Sequence, residues 1–127
     1  MHGVTQPYII TSMLESLQLK NVILVQQMYV EFKAGFNVIT GETGAGKSLI
    51  IKSLGLLSGQ MASSQVIYQD EPDAFIEATF VIPPQIDIPD DYLDQGRLVV
   101  SRRIFRNKPT VNKINYESVS LKVLKEI

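Results

Sequence analysis

The stretch "NVITGETGAGKSLIIKSLGLL", Asn37 to Leu57, joins two apolar runs through a glycine-rich turn. Its first run, with Phe36 added, is "FNVIT": short, β-branched and apolar, as a strand buried on both faces would be. Its second run, from Ser48 to Ser58, reads as a helix. Leu49, Ile50, Ile51, Leu54, Leu56 and Leu57 cover much of the circumference, so the helix is expected to be largely buried. Between them, Gly41-Glu42-Thr43-Gly44-Ala45-Gly46-Lys47-Ser48 satisfies G-x-x-x-x-G-K-S/T in full, in the strand-to-helix setting that gives the pattern its meaning. The glycines let the backbone turn tightly and aim successive N–H groups inward, forming a nest for phosphate oxygens. The helix that opens near Lys47 adds the positive end of its dipole. Lys47 is placed to reach the β- and γ-phosphates, and the Ser48 hydroxyl to ligate a magnesium ion shared with them. Gly41 through Ser48 are therefore the candidate residues for binding a nucleoside triphosphate, with Ser48 also a candidate metal ligand.

Further from this junction, extended segments dominate. Met13 to Lys20 alternates Leu14, Leu17 and Leu19 with Glu15, Gln18 and Lys20, slipping once at Ser16–Leu17. Val22 to Phe32 is a second extended region, and Lys33-Ala34-Gly35 a turn. Ala74 to Ile82 divides into Phe75, Glu77 and Thr79 on one face and Ile76, Ala78 and Phe80 on the other. Pro83 to Gly96 reads as a surface loop, Leu98 to Phe105 as a strand, and Thr110 to Asn115 as its hairpin partner. Ser118 or Ser120 is positioned to cap a final helix, "LKVLKEI". Gly59 is a plausible helix C-cap. Gly55, costly inside a helix, suggests close packing against a strand.

Bulk properties exclude several classes. The length, 127 residues, suits one domain or part of one, and 45% apolar residues is globular. A net charge of −1 gives no global attraction to nucleic acid or anionic membrane. There is no cysteine and one histidine, His2, so thiolate and histidine-cluster metal sites are excluded. No apolar run reaches the roughly 18 residues of a membrane helix, and no membrane partner is expected. Residues 1–12 lack a basic start and a long apolar core, and read as a variable extension rather than a signal peptide. Charge is segregated: Asp70 to Asp94 is acidic without a cation, and Arg97 to Lys113 basic without an acid. This pattern reads either as solvated loop and strand positions or as a basic edge for phosphate or a partner.

Phosphoryl transfer also needs a carboxylate on the metal's second side and a group that orients the attacking water. Asp70 follows "QVIYQ", too polar for a buried strand, while Asp87 and Asp90 lie among prolines. No catalytic residue is assigned in this chain.

The order of segments resembles one family. "FNVITGETGAGKSLIIKSLGLLSG", preceded by "MLESLQLKNVILVQQMYVEFKAG" with its Lys20-Asn21 turn, and followed by "FIEATF", "RLVVSRRIF" and "INYESVSLKVLKEI", is similar to the N-terminal segment of the RecN family of bacterial DNA-repair ATPases. That family belongs with the SMC-like, ABC-type ATPases. The resemblance implies an α/β P-loop NTPase fold: residues 13–127 as the first lobe of an ABC/SMC-type head, with a mixed β-sheet around the P-loop helix. It implies ATP and Mg as ligands, and DNA double-strand-break repair by recombination as the setting. It also implies, for the complete protein, DNA and a second head of a homodimer as partners, in a bacterial cytoplasm near the nucleoid. The family's glutamine-bearing loop, coiled coil, signature motif and Walker B pair are not in this chain. It is accordingly an ATPase only as part of the whole, and inactive alone. Met61 and Tyr68 stand where the family tends to carry arginines, and Lys52 where an acid is frequent. Tyr116 replaces the glycine of an Asn-Gly turn, so a different turn type is expected. Two other readings stay open: a catalytically inactive nucleotide-binding or interaction module derived from such a head, and a different P-loop enzyme such as a kinase.

Overall fold

The computed structural model describes residues 14–32, 44–83 and 93–126. The strand read at Phe36 to Thr40, the Lys33-Ala34-Gly35 turn and most of the proline-rich loop lie outside them. The described elements are β1 (Leu14–Val22), β2 (Val25–Glu31), α1 (Gly44–Leu57), a 3-10 turn (Ser64–Val66), β3 (Asp73–Val81), β4 (Arg97–Phe105), β5 (Val111–Ile114), β6 (Glu117–Val119) and α2 (Leu121–Glu126). The strands form one six-stranded sheet in the order β2-β1-β3-β4-β5-β6. Every described pairing is antiparallel.

Alternation decides which face is buried. In β3, Ala74, Ile76, Ala78 and Phe80 are buried while Phe75, Glu77 and Thr79 are half-buried, as the two-residue period requires. The slip in β1 has a structural cause. Both Leu14 and Leu17 are buried, and the register shifts between Leu14 and Ser16 against β3. A bulge takes up the extra residue and returns both leucines to the core. Leu17, Leu19, Val22, Ile76, Val100 and Ile104 share that core with Ile50, Leu54, Leu56 and Leu57 of α1.

Several details differ from the sequence reading. Helix α1 begins at Gly44 rather than Ser48. Ile51 is exposed and Leu49 half-buried, so one face of the helix is less covered than its composition implied. Lys20 and Asn21 fall inside β1, and the chain reverses at Ile23–Leu24, where Val22 pairs with Val25. Asn21 still has left-handed backbone, φ 55°, because it serves the 64–71 segment. Its carbonyl accepts from the Tyr68 N–H at 2.8 Å, and its side chain donates to Glu71 at 3.2 Å. Gly55 does not pack against a strand: the nearest atoms to a Cβ there would be the side-chain amide of Gln60, at 2.8 Å, the far end of a flexible side chain that can move aside. At the β5–β6 turn, Ile114 pairs with Glu117 across Asn115 and Tyr116, whose φ angles are 48° and 70°. These are the two positive values that an Asn-Gly type I′ turn needs. The turn type is therefore kept and Tyr116 bears the strain. Asn115 helps hold it, since its Oδ1 accepts from the Val99 N–H at 2.9 Å. Ser120, not Ser118, caps α2, accepting from the Val123 N–H at 3.2 Å.

Candidate phosphate site

The eight motif residues divide at the start of the helix. Gly41, Glu42 and Thr43 lie outside the described residues. Gly44, Ala45, Gly46 and Lys47 form the first turn of α1, and Ser48 follows, exposed. First-turn N–H groups have no acceptor within their own helix and need one from outside it, which an anion can supply. No acidic residue occupies that first turn, so no side-chain carboxylate there competes for the dipole's positive end. Two residues on, Ile50 is buried, which seats the helix on the core while Ser48 remains open to solvent. An exposed hydroxyl at the head of a helix fits a hard cation that keeps several waters and takes its other oxygens from phosphate. Among the described residues, no three His, Cys, Asp or Glu side chains gather into a metal-holding group.

Asp70 goes elsewhere. It lies in a turn with φ 69° and lines an open groove with Asp73, Phe105, Arg106 and Lys108, a lining from which Ser48 is absent. Arg106 forms one wall, donating to the carbonyls of Glu71 at 2.7 Å and Tyr68 at 3.4 Å. Tyr68, one of the two positions where an arginine was expected, thus meets an arginine from a different strand end. Met61, the other, is 94% exposed.

The basic run is not a free edge. Arg97 forms a two-pronged pair with Glu15 at 2.9 and 3.0 Å, which holds the Glu15 carboxyl below the usual carboxylate range. Arg103 pairs with Asp73 at 2.6 Å and lies over the Phe75 ring. Lys108 sits over the Phe105 ring. Arg102 is buried and donates to the carbonyls of Leu56 and Gln60 at the far end of α1. Sequence reasoning missed this last role. Arg102 occupies a core-facing position of β4, between Val100 and Ile104, and a charge at such a position was the signal available.

Comparison with known proteins bears on this arrangement. A family profile described as "AAA domain" matches residues 16–82. The DNA repair protein RecN of Halalkalibacterium halodurans is 35% identical over 121 residues, 91% of this chain and 21% of the relative. This chain thus spans about a fifth of that relative's length. Among solved structures, an SMC ATPase from a study of ATP-driven dimerization and DNA-stimulated activation superimposes with a TM-score of 0.69 at 20% identity, over 91% of this chain and 76% of that one. The recombination mediator RecF bound to ATP superimposes with a TM-score of 0.65 at 19% identity, over 85% of this chain and 28% of that one. At these identities the two structures speak for the fold alone, that of the first lobe of an SMC- or RecF-like head.

Proposed function

Since this chain belongs to the AAA-domain family, as an N-terminal segment of a RecN-like protein, we propose that it is the phosphate-binding half of an ATPase head that acts in recombinational repair of DNA double-strand breaks. The observation that carries this is the complete motif Gly41–Ser48 running into α1, with Ser48 exposed and no acid in the first turn. In this reading residues 13–127 form the lobe and residues 1–12 precede it as a variable extension. Backbone amides from Gly41 to Lys47 hold the phosphates, the Lys47 ammonium neutralises the terminal ones, and Ser48 holds Mg. The metal, when bound, neutralises charge developing on the transferred phosphoryl group. The carboxylate and signature motif that would complete hydrolysis belong to the rest of the protein and to a second head, and DNA is the partner of the whole. The setting is a bacterial cytoplasm beside the nucleoid. Among the described residues, no helix is long and apolar enough to cross a membrane.

The test is a titration with a fluorescent ATP analogue and Mg²⁺, wild type against Lys47→Ala. Charge-assisted hydrogen bonds contribute about 1.5–3 kcal/mol, so affinity should fall roughly tenfold or more. Equal affinities would remove the reading. Phosphate release followed in the same samples should be negligible, and turnover that disappears with Lys47 would place a catalytic carboxylate inside this chain.

A further inference from the structure

Helix α1 has no basic residue in its last turn. The cation that such a terminus favours comes from the sheet. Arg102 Nη1 donates to the Leu56 carbonyl at 2.8 Å and the Gln60 carbonyl at 2.5 Å. The side chain is 2% exposed, and burial pushes its pKa down from the usual guanidinium range. Its Nε is buried with no partner, as is Ser53 Oγ one turn earlier on the same helix. Orphan polar atoms in a buried layer cost stability. An apolar residue between Val100 and Ile104 would avoid that cost, and a contact that breaks the packing rules invites a functional account.

In the register, Arg102 lies opposite Ile76 on one side and Asn112 on the other, within the sheet. Fourteen residues of helix span about 21 Å, so the guanidinium stands roughly 20 Å from the first turn. At that distance its direct Coulomb pull on a phosphate is slight. Whatever it does for the far end must pass through the position of the helix.

We propose that Arg102 is a positioning residue for the phosphate site: it ties the last turn of α1 to β4, and so fixes where the first turn presents its N–H groups. This rests on the reading of Gly41–Ser48 as that site. A helix held only by apolar contacts can slide or tilt on them, because the hydrophobic effect has no direction. Hydrogen bonds from one nitrogen to the Leu56 carbonyl in the last turn and to the Gln60 carbonyl just beyond it remove that freedom.

The experiment compares wild type, Lys47→Ala, Arg102→Met and Arg102→Lys in the 127-residue chain, at a temperature where circular dichroism shows each fully folded. Arg102→Met keeps length and removes the donors. It should weaken binding of the fluorescent ATP analogue with Mg²⁺ about three- to tenfold, and Arg102→Lys should recover most of the loss. In wild type, the analogue should also slow amide hydrogen exchange at Ser58 to Gln60, far from where it binds, and this needs no variant to fold. If wild type binds and Lys47→Ala does not, but Arg102→Met binds as wild type does, Arg102 is only a structural cap and the proposal is wrong. Unchanged exchange at Ser58 to Gln60 on binding would overturn it equally. If wild type does not bind, the site reading fails first and the proposal falls with it.

Discussion

The two ends of α1 are built by different means. The first end is contiguous: eight residues in a row carry the glycines, the lysine and the hydroxyl. The second is assembled from two places. Gly59, with φ 105°, closes it locally: its N–H bonds the Leu56 carbonyl at 3.2 Å, and the Gln60 N–H bonds the Gly55 carbonyl at 3.3 Å, the paired pattern of a Schellman cap. Arg102 then arrives from a strand more than forty residues on. A helix end can thus be specified by its own neighbourhood or by a fold that must already exist.

The contrast can be probed beyond Lys47 and Arg102, starting with the largest effect. Gly59→Ala forces a Cβ into left-handed backbone and should destabilise by about 1–2 kcal/mol. Urea denaturation monitored by circular dichroism measures it, and a loss below about 0.5 kcal/mol would mean that Arg102 alone holds that end. Tyr116→Gly should do the reverse. The tyrosine is exposed, packs little and sits at φ 70°. Glycine there should stabilise by about 0.5–1 kcal/mol, the relief of left-handed strain less glycine's extra chain entropy. A loss on the same measurement would show that the ring makes contacts worth more than the strain.

The smallest effect is a pH dependence on the sheet's other face. Glu77 lies between Gln18 and Ser101 in the register, and burial pushes its carboxyl up. A raised folded-state value means that the native protein holds this proton more tightly than the unfolded chain. Glu77's contribution is then fully present below the ordinary carboxylate value and declines as pH rises through the raised one. Glu77→Gln should flatten the fall in stability that sets in as pH rises above the ordinary carboxylate value, about pH 4. An unchanged slope would mean that the carboxylate finds a partner when ionised. Glu15 works the other way, losing its Arg97 pair as pH falls, but the pair is exposed and its share small.

What the sequence disclosed follows the same line. The strands were legible because alternation is local: β3 divides its faces as its residues predict. The motif pattern could be read because its eight residues are neighbours in sequence. The slip at Ser16–Leu17 signalled a bulge without naming it, since only pairing with β3 shows where the register shifts. Tyr116 misled because composition argued against a type I′ turn, while the β4–β5–β6 ladder leaves room for only two residues. The pairings of the basic run were not legible because each arginine's partner lies in another element, and no spacing rule links Arg97 to Glu15 or Arg102 to Leu56.

The β1–β3 pairing carries a consequence for how the chain reaches this state. β1–β2, β4–β5 and β5–β6 join strands adjacent in sequence and can zip soon after synthesis. Lys20 and Phe75, by contrast, meet only when everything between them has been drawn in, including the glycine-rich loop and α1. Non-local pairings of this kind are slow because chain entropy is lost before contacts repay it. The inner edge of the first hairpin leaves the ribosome early and waits, unpaired, for β3. During that interval it is a template for any other extended chain, so the β1–β3 seam is also the step most exposed to misassembly.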